Sequence, residues 1–197
     1  MNGTISVFLQ NGGEGVWLAL PASRDDFLNA LREIKAANYN SITIGQYKTA
    51  VAALPVELLK SADLDQANYL ASRLAELSSE HAELLEAMLE SPLQSKVLND
   101  IKKLIDYFDN TGAYEVYSGV NSPVDLAQYY IEESGLIEIP PEWAEGIDLE
   151  RFGKNLEKHE LGYYTRHGYL IGTGLAWKPV FEICSEVPYE YRIAPEK

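Results

Sequence analysis

Carboxylates are the chemistry-bearing side chains of this chain: thirty in 197 residues, against sixteen lysines and arginines. Eleven of them fall in one window. Between Lys103 and Arg151 lie 47 residues with no lysine or arginine, and this stretch holds Asp106, Asp109, Glu115, Asp125, Glu132, Glu133, Glu138, Glu142, Glu145, Asp148 and Glu150. Carboxylates can serve as a general acid and base, ligate a cation, or display charge. Glycosidase-type chemistry needs two chosen acids flanking a sugar cleft, and thirty acids make any pair uninformative. Asp63-Leu64-Asp65 lacks the glycine and the terminal glutamate of a calcium loop. His81, His159 and His167 are scattered, with no HExxH or Cys/His spacing. Gly172-Thr173-Gly174 lacks the rest of a dinucleotide fingerprint, and neither GxxxxGK[ST] nor GxSxG occurs. The sequence therefore predicts no catalytic residue, no metal and no cofactor. Displayed charge remains. A long one-sign field costs folding energy through self-repulsion, and a basic partner is one reason to keep it.

The charge is unevenly placed. Glu57 to Glu160 holds 22 acids and 8 bases, so the whole formal charge of −14 sits there; the two flanks together balance at eight and eight. Such acidity argues against direct binding to nucleic acid or to an anionic membrane, both of which require positive charge. A hydrophobic content of 46% is ample for a packed core. The lone Cys184 permits no intramolecular disulfide, which fits a reducing, cytoplasmic setting. No run of 18 apolar residues is present, and no basic-then-apolar leader opens the chain, so neither a membrane span nor a signal peptide is expected.

Three segments differ in pattern. In the first, 1–54, Ile5, Val7 and Leu9 alternate as in a half-buried strand, Asn11 to Gly15 turns, and Val16 to Leu20 forms a second strand ended by Pro21. Ser23 caps a helix with Asp25 and Asp26 in its first turn and Phe27, Leu28, Leu31 and Ile34 on its buried face; Ser41 to Tyr47 returns as a strand. The second, 55–110, is helical: Leu64, Ala67, Leu70, Leu74 and Leu77 keep helical spacing, Glu80 to Glu90 forms another helix, and Ser91-Pro92 opens a third that carries Val97, Leu98, Ile101, Leu104, Ile105 and Phe108. The third, 111–197, begins with a strand at Tyr114 to Tyr117. A helix follows from Ser122-Pro123 to Gly135, and a further one carries Leu149, Phe152 and Leu156. A hairpin pairs Leu161–Thr165 with Tyr169–Thr173 across His167-Gly168, a strand is expected over Trp177–Cys184, and the tail from Val187 reads as irregular. The fold class is thus α+β, with three small domains in a row: α+β, all-helical, α+β.

On the Glu80–Glu90 helix, Glu80, Glu83, Glu86 and Glu90 fall within about 120° of arc, opposite Leu84, Leu85, Met88 and Leu89. Glu76/Glu80 and Glu86/Glu90 have the i,i+4 spacing at which like charges repel, and no lysine or arginine lies between Arg73 and Lys96 to offset them. On the helix after Pro123, Leu126, Ala127, Tyr130 and Ile131 form the buried side while Asp125, Gln128 and Glu132 point away. Tyr129 falls on the border, placed either to pack on a neighbouring segment or to join a subunit contact, where tyrosine is enriched.

The run Val124-Asp125-Leu126-Ala127-Gln128-Tyr129-Tyr130-Ile131-Glu132-Glu133-Ser134-Gly135 closely resembles the signature of the ArdA antirestriction family. The likeness continues through Ile139-Pro140, Ile147-Asp148, Phe152-Gly153-Lys154-Asn155-Leu156 and His167-Gly168-Tyr169. Val7-Phe8-Leu9, Asn11, Gly15, Trp17 and Leu20-Pro21 resemble its opening strands, so that about 1–172 is covered. The resemblance implies an elongated, acidic DNA mimic of three small domains that binds type I restriction–modification enzymes in place of DNA. It also implies a homodimer joined through the third domain, with Asp125, Gln128, Tyr129 and Glu132 at the contact, and no catalysis or cofactor. Glu76, Glu80, Glu83, Glu86 and Glu90, with the eleven acids from Asp106 to Glu150, would form the mimicking surface. A reading from another class is an acidic adaptor for a different basic DNA-binding protein. The short turn Asn11–Gly15 and the acid-free strand Ile42–Lys48 depart from the family pattern, so the near-neutral first segment is expected to add little to mimicry. Residues 173–197 run past the family's usual end.

Overall fold

A computed structural model describes residues 4–136, 138–144 and 146–194. In chain order the elements are β1 (Ile5–Asn11), β2 (Glu14–Leu20), α1 (Arg24–Glu33), β3 (Thr43–Thr49), α2 (Val56–Leu59), α3 (Leu64–Ala75), α4 (Ser79–Glu90), α5 (Leu93–Lys96) and α6 (Ile101–Asp106). Then come β4 (Tyr114–Tyr117), α7 (Pro123–Gln128), α8 (Pro141–Ala144), α9 (Leu149–Glu160), β5 (Tyr163–Thr165), β6 (Gly168–Gly172) and α10 (Val180–Cys184). The fold class is mixed α+β, with two three-stranded sheets among the described residues. The chain divides into two compact units. One takes in the described residues of Met1–Ala82, Ser95–Asp109 and Lys178–Lys197; the other takes in those of Glu83–Gln94 and Asn110–Trp177.

The first unit is built on the antiparallel sheet β2-β1-β3. The alternation in β1 places Ile5, Val7 and Leu9 at zero exposure, as the two-residue period of a strand with one covered face requires. Ser23 caps α1 by accepting from Asp26 N, and Asp26 reaches back to Ser23 N, a closed capping box. Phe27, Ala30, Leu31 and Ile34 are its buried face. Buried Asn68 on α3 satisfies its amide fully: Nδ2 donates to the carbonyls of Ala22 and Tyr191, and Oδ1 accepts from Ala22 N.

Two expectations fail in this unit. The helix expected from Ser91 to Phe108 is broken into α5 and α6, because Asp100 adopts an extended backbone and caps α6, accepting from Lys102 N and Lys103 N. The strand expected over Trp177–Cys184 is instead the short helix α10. Its reason is Asp106. That side chain is fully buried, and its two oxygens accept from Phe181 N at 2.5 Å and Glu182 N at 3.1 Å, satisfying donors that open the helix. Farther along, Asp65 Oδ1 accepts from both Ile193 N and Ala194 N at 2.8 Å, and Tyr69 packs against Phe181 and Tyr191. Around a 3-10 turn at Tyr189–Tyr191 the tail is otherwise irregular, as expected.

The second unit carries the sheet β4-β6-β5, antiparallel throughout, with the expected β5–β6 hairpin. Its core gathers Val120, Leu126, Tyr130 and Tyr169, flanked by Tyr117, Tyr129, Leu156 and Ile171. Two glycines of the family-like motifs are required by close approach. A Cβ on Gly153 of α9 would lie 1.7 Å from the Pro123 carbonyl oxygen at the start of α7, so only glycine lets these helices meet. Gly168 has φ +129°, and a Cβ there would lie 2.3 Å from the Tyr117 carbonyl oxygen across the sheet. The helix expected to run on to Gly135 changes pitch. After α7 a π-helical turn spans Tyr129–Glu133, closed by Ser134 N donating to Tyr129 O at 2.8 Å.

Replacing Asp106 by Ala strands one buried and one part-buried N–H group, so Asp106→Ala should lower the unfolding free energy by about 2–3 kcal/mol, read by urea denaturation. A loss below about 0.5 kcal/mol, the range of ordinary surface substitutions, would contradict this role.

Candidate functional site

The charge partitions sharply between the two units. Residues 83–94 and 110–177 contain fourteen carboxylates against Arg151, Lys154, Lys158 and Arg166, a formal −10; the rest of the chain has sixteen acids and twelve bases, a formal −4. Most of the sequence-predicted acids therefore belong to one compact body.

On α4, Leu84, Leu85, Met88 and Leu89 are buried, while Glu80 and Glu83 are exposed. The apolar and acidic faces thus lie where helical spacing put them. Two details of the expected stripe change. Glu76 is the C-cap of α3, and the chain breaks before Ser79, so Glu76 and Glu80 are exposed on different helices rather than one turn apart. Glu86 and Glu90 do have a cationic partner. Arg166, from the β5–β6 turn, places one Nη2 at 2.5 Å from Glu86 Oε2 and 3.0 Å from Glu90 Oε1. Nothing in the sequence links the two, because Arg166 lies 80 positions from Glu86; only the hairpin at His167-Gly168 hinted at a turn there.

The window from Asp106 to Glu150 is also heterogeneous. Asp106 is buried and capped onto α10, so it cannot belong to a surface. Asp109 is exposed and 3.5 Å from Arg73. Glu115 faces out from β4 and accepts from Tyr117 Oη at 3.1 Å. Asp125 is half-buried and accepts from Asn121 N; Asp148 caps α9 by accepting from Arg151 N; Glu150 pairs with Lys154 at 2.6 Å. Glu132, Glu133, Glu138 and Glu142 are exposed, with no ion pair among the described residues. Glu145 lies outside the described residues.

Of the expected contact residues, Gln128 and Glu132 are exposed and Tyr129 is half-buried. Tyr129 stacks on Tyr117, with centroids 4.2 Å apart and planes at 26°, and meets Tyr130 edge-on. Of its two readings, packing on a neighbouring segment is the one seen within the chain. Behind it, Tyr130, which helical spacing had placed on the buried side, and Tyr164 lie against carboxylates of α9, a link the sequence did not indicate. Tyr130 hydrogen-bonds Glu160, and Tyr164 hydrogen-bonds Glu157. Burial raises every one of these phenols above its ordinary value, Tyr117 and Tyr169 to about 12. The exposed carboxylates of this unit thus surround a packed aromatic core.

Burial also raises the Glu160 carboxyl above its usual range, with the Tyr130 hydrogen bond opposing. Its Oε2 is enclosed without a partner among the described residues. A carboxyl whose folded pKa exceeds its unfolded one holds its proton better when folded. Its favourable contribution is therefore complete below the unfolded value, about 4.3, and is lost as pH rises through the folded value. Glu160→Gln, which keeps an acceptor for Tyr130, should raise the melting temperature at pH 7, with the gain shrinking as pH falls toward 4. A gain that is the same at every pH, or absent at pH 7, would refute this.

Among the described residues no group of three or more histidine, cysteine or carboxylate side chains is arranged to hold a metal ion, and no helix is long and apolar enough to cross a membrane. A comparison with curated proteins finds no match. Residues 10–171 match the family model described as antirestriction protein (ArdA), a stretch that contains β4, the tyrosine core, α7, α9 and the β5–β6 hairpin. The chain belongs to the ArdA antirestriction family.

Proposed function

We propose that this protein is an acidic DNA mimic that inhibits type I restriction–modification enzymes by occupying their DNA-binding groove. One observation carries the reading: a formal −10 concentrated on one compact unit in a chain of an antirestriction family. DNA binding draws its affinity largely from lysine and arginine contacts to phosphates spaced about 3.4 Å per strand. Carboxylates three and four residues apart on a helix are spaced by about 4.5–6 Å of rise, a somewhat diluted version of that row. Exposed Glu83, Glu115, Glu132, Glu133, Glu138, Glu142, Asp148 and Glu150 could meet the same basic side chains while offering no base to cut or methylate. The protein has no catalytic role in this scheme and acts in the cytoplasm. It works as a homodimer through the edge carrying half-buried Asp125 and Tyr129 and exposed Gln128 and Glu132, with the chain organised as segments 1–54, 55–110 and 111–197. The first of these is close to neutral and contributes little.

Charge displayed as a field is redundant, so single acids should be nearly interchangeable. Glu83→Gln should weaken inhibition of a purified type I enzyme by less than about threefold, the worth of a typical exposed ion pair. Joint replacement of Glu132, Glu133, Glu138, Glu142 and Glu150 by Gln should abolish it. Competition with a labelled target duplex should weaken steeply as salt rises. A single amide substitution that abolishes inhibition while the fold melts normally would refute mimicry, as would salt-insensitive binding. Tight binding to other basic DNA-binding proteins, with no competition at the type I enzyme, would favour the adaptor reading.

A further inference from the structure

The Arg166 contact is out of keeping with a surface built to attract cations. The most basic side chain available is spent on two of the carboxylates that the acidic helix would otherwise display. Its placement is closely determined. Arg166 and His167 form the two-residue turn of the β5–β6 hairpin. Thr165 Oγ1 donates to the Gly168 carbonyl at 2.9 Å and lies 3.2 Å from His167 N, and Gly168 takes the backbone conformation that closes the turn. Arg166 Nε lies 3.0 Å from His167 Nε2, which itself lies 3.2 Å from Glu86 Oε2, and Nη2 faces both Glu86 and Glu90.

The order of layers matters as well. The Glu86 and Glu90 side chains are 28% and 30% exposed, whereas Arg166 is 54% exposed, so the carboxylates are the more enclosed partners. A planar guanidinium is the group best matched to carboxylates, and any arginine arriving from a partner would find this place taken. Nor does α4 require the contact in order to pack, since Leu85 and Met88 are almost fully buried and anchor it.

We propose that Arg166 is a built-in competitor that closes the Glu86–Glu90 pair to partner arginines and so fixes which carboxylates of α4 take part in binding. The inference rests on the mimicry reading for its biological meaning. The seat itself can be tested without any restriction enzyme. The probe is a hexa-arginine peptide at low salt, titrated while the side-chain carboxyl carbons of Glu86 and Glu90 are followed by NMR. In the native protein these two signals should move little while those of Glu132 and Glu133 respond. In Arg166→Met, which keeps the apolar stem, Glu86 and Glu90 should respond as strongly as the others.

The second arm measures affinity for a type I enzyme. Arg166→Met should bind about threefold or more tightly, the scale of one exposed ion pair, and adding E86Q and E90Q should remove that gain. E86Q and E90Q in the native background should change little. Arg166→Lys, a single-point cation without the fork, should fall between and serves as the variant if the methionine protein does not melt cooperatively. Equal response of Glu86 and Glu90 to the peptide with and without Arg166 overturns the proposal. So does an equal loss of affinity from E86Q and E90Q in both backgrounds. A native protein that fails to compete with DNA at the enzyme defeats mimicry instead and leaves the peptide result to decide the seat.

Discussion

Like charge confined to a small body is the constraint on which the rest of the structure depends. Fourteen carboxylates against four basic residues must be held by residues 83–94 and 110–177, and their mutual repulsion favours expansion. The chain answers in three ways. It gives several acids local partners: Asp148 caps α9, Glu150 meets Lys154, and Arg166 bridges Glu86 and Glu90. It sets neutral phenols against others, with Tyr130 on Glu160, Tyr164 on Glu157 and Tyr117 on Glu115. And it keeps the support rigid with aromatic packing and a helix crossing so close that Gly153 admits no side chain. Only after this does a subset of acids, Glu132, Glu133, Glu138 and Glu142 among them, stand exposed and without an ion pair among the described residues.

The family-like motifs take on a physical meaning in this light. Leu126 and Tyr130 of the 124–135 block, with Tyr169 of His167-Gly168-Tyr169, supply the core, and Leu156 packs against it. Gly153 and Gly168 are dictated by carbonyl oxygens they nearly touch. These motifs are therefore largely the support. The exposed part of the block is confined to a few polar side chains such as Gln128, Glu132 and Glu133. A match to the motifs speaks first for the scaffold, whereas the charge it displays is set by the distribution of acids.

Much of the fold was legible because it rests on local rules. Alternation located β1, capping serines located the starts of α1 and α7, and helical spacing divided α4 into its apolar and acidic faces. What escaped was set by partners distant in sequence. Nothing local to Asp106 distinguishes it from its exposed neighbours; its burial follows from the α10 N–H groups 75 and 76 residues away. Arg166 lay hidden from the Glu80–Glu90 helix for the same reason. The pitch change at Tyr129 is subtler: five tyrosines meet there, and the ring that stacks on Tyr117 sits where the helix takes an extra residue per turn.

The segment beyond the family match follows the same logic. Residues 178–194 carry little charge imbalance and are bound to the first unit by Asp65, Asn68 and Asp106, three polar side chains that each satisfy backbone groups of the segment. Tyr69 adds aromatic contact with Phe181 and Tyr191. Two of these three anchors are acids, so part of the chain's negative charge is spent inside the fold, where a carboxylate is worth more as an acceptor for paired N–H groups than as surface charge. A tally of acids along the sequence therefore overstates the surface, and the reading of mimicry rests on those that remain exposed in the fold.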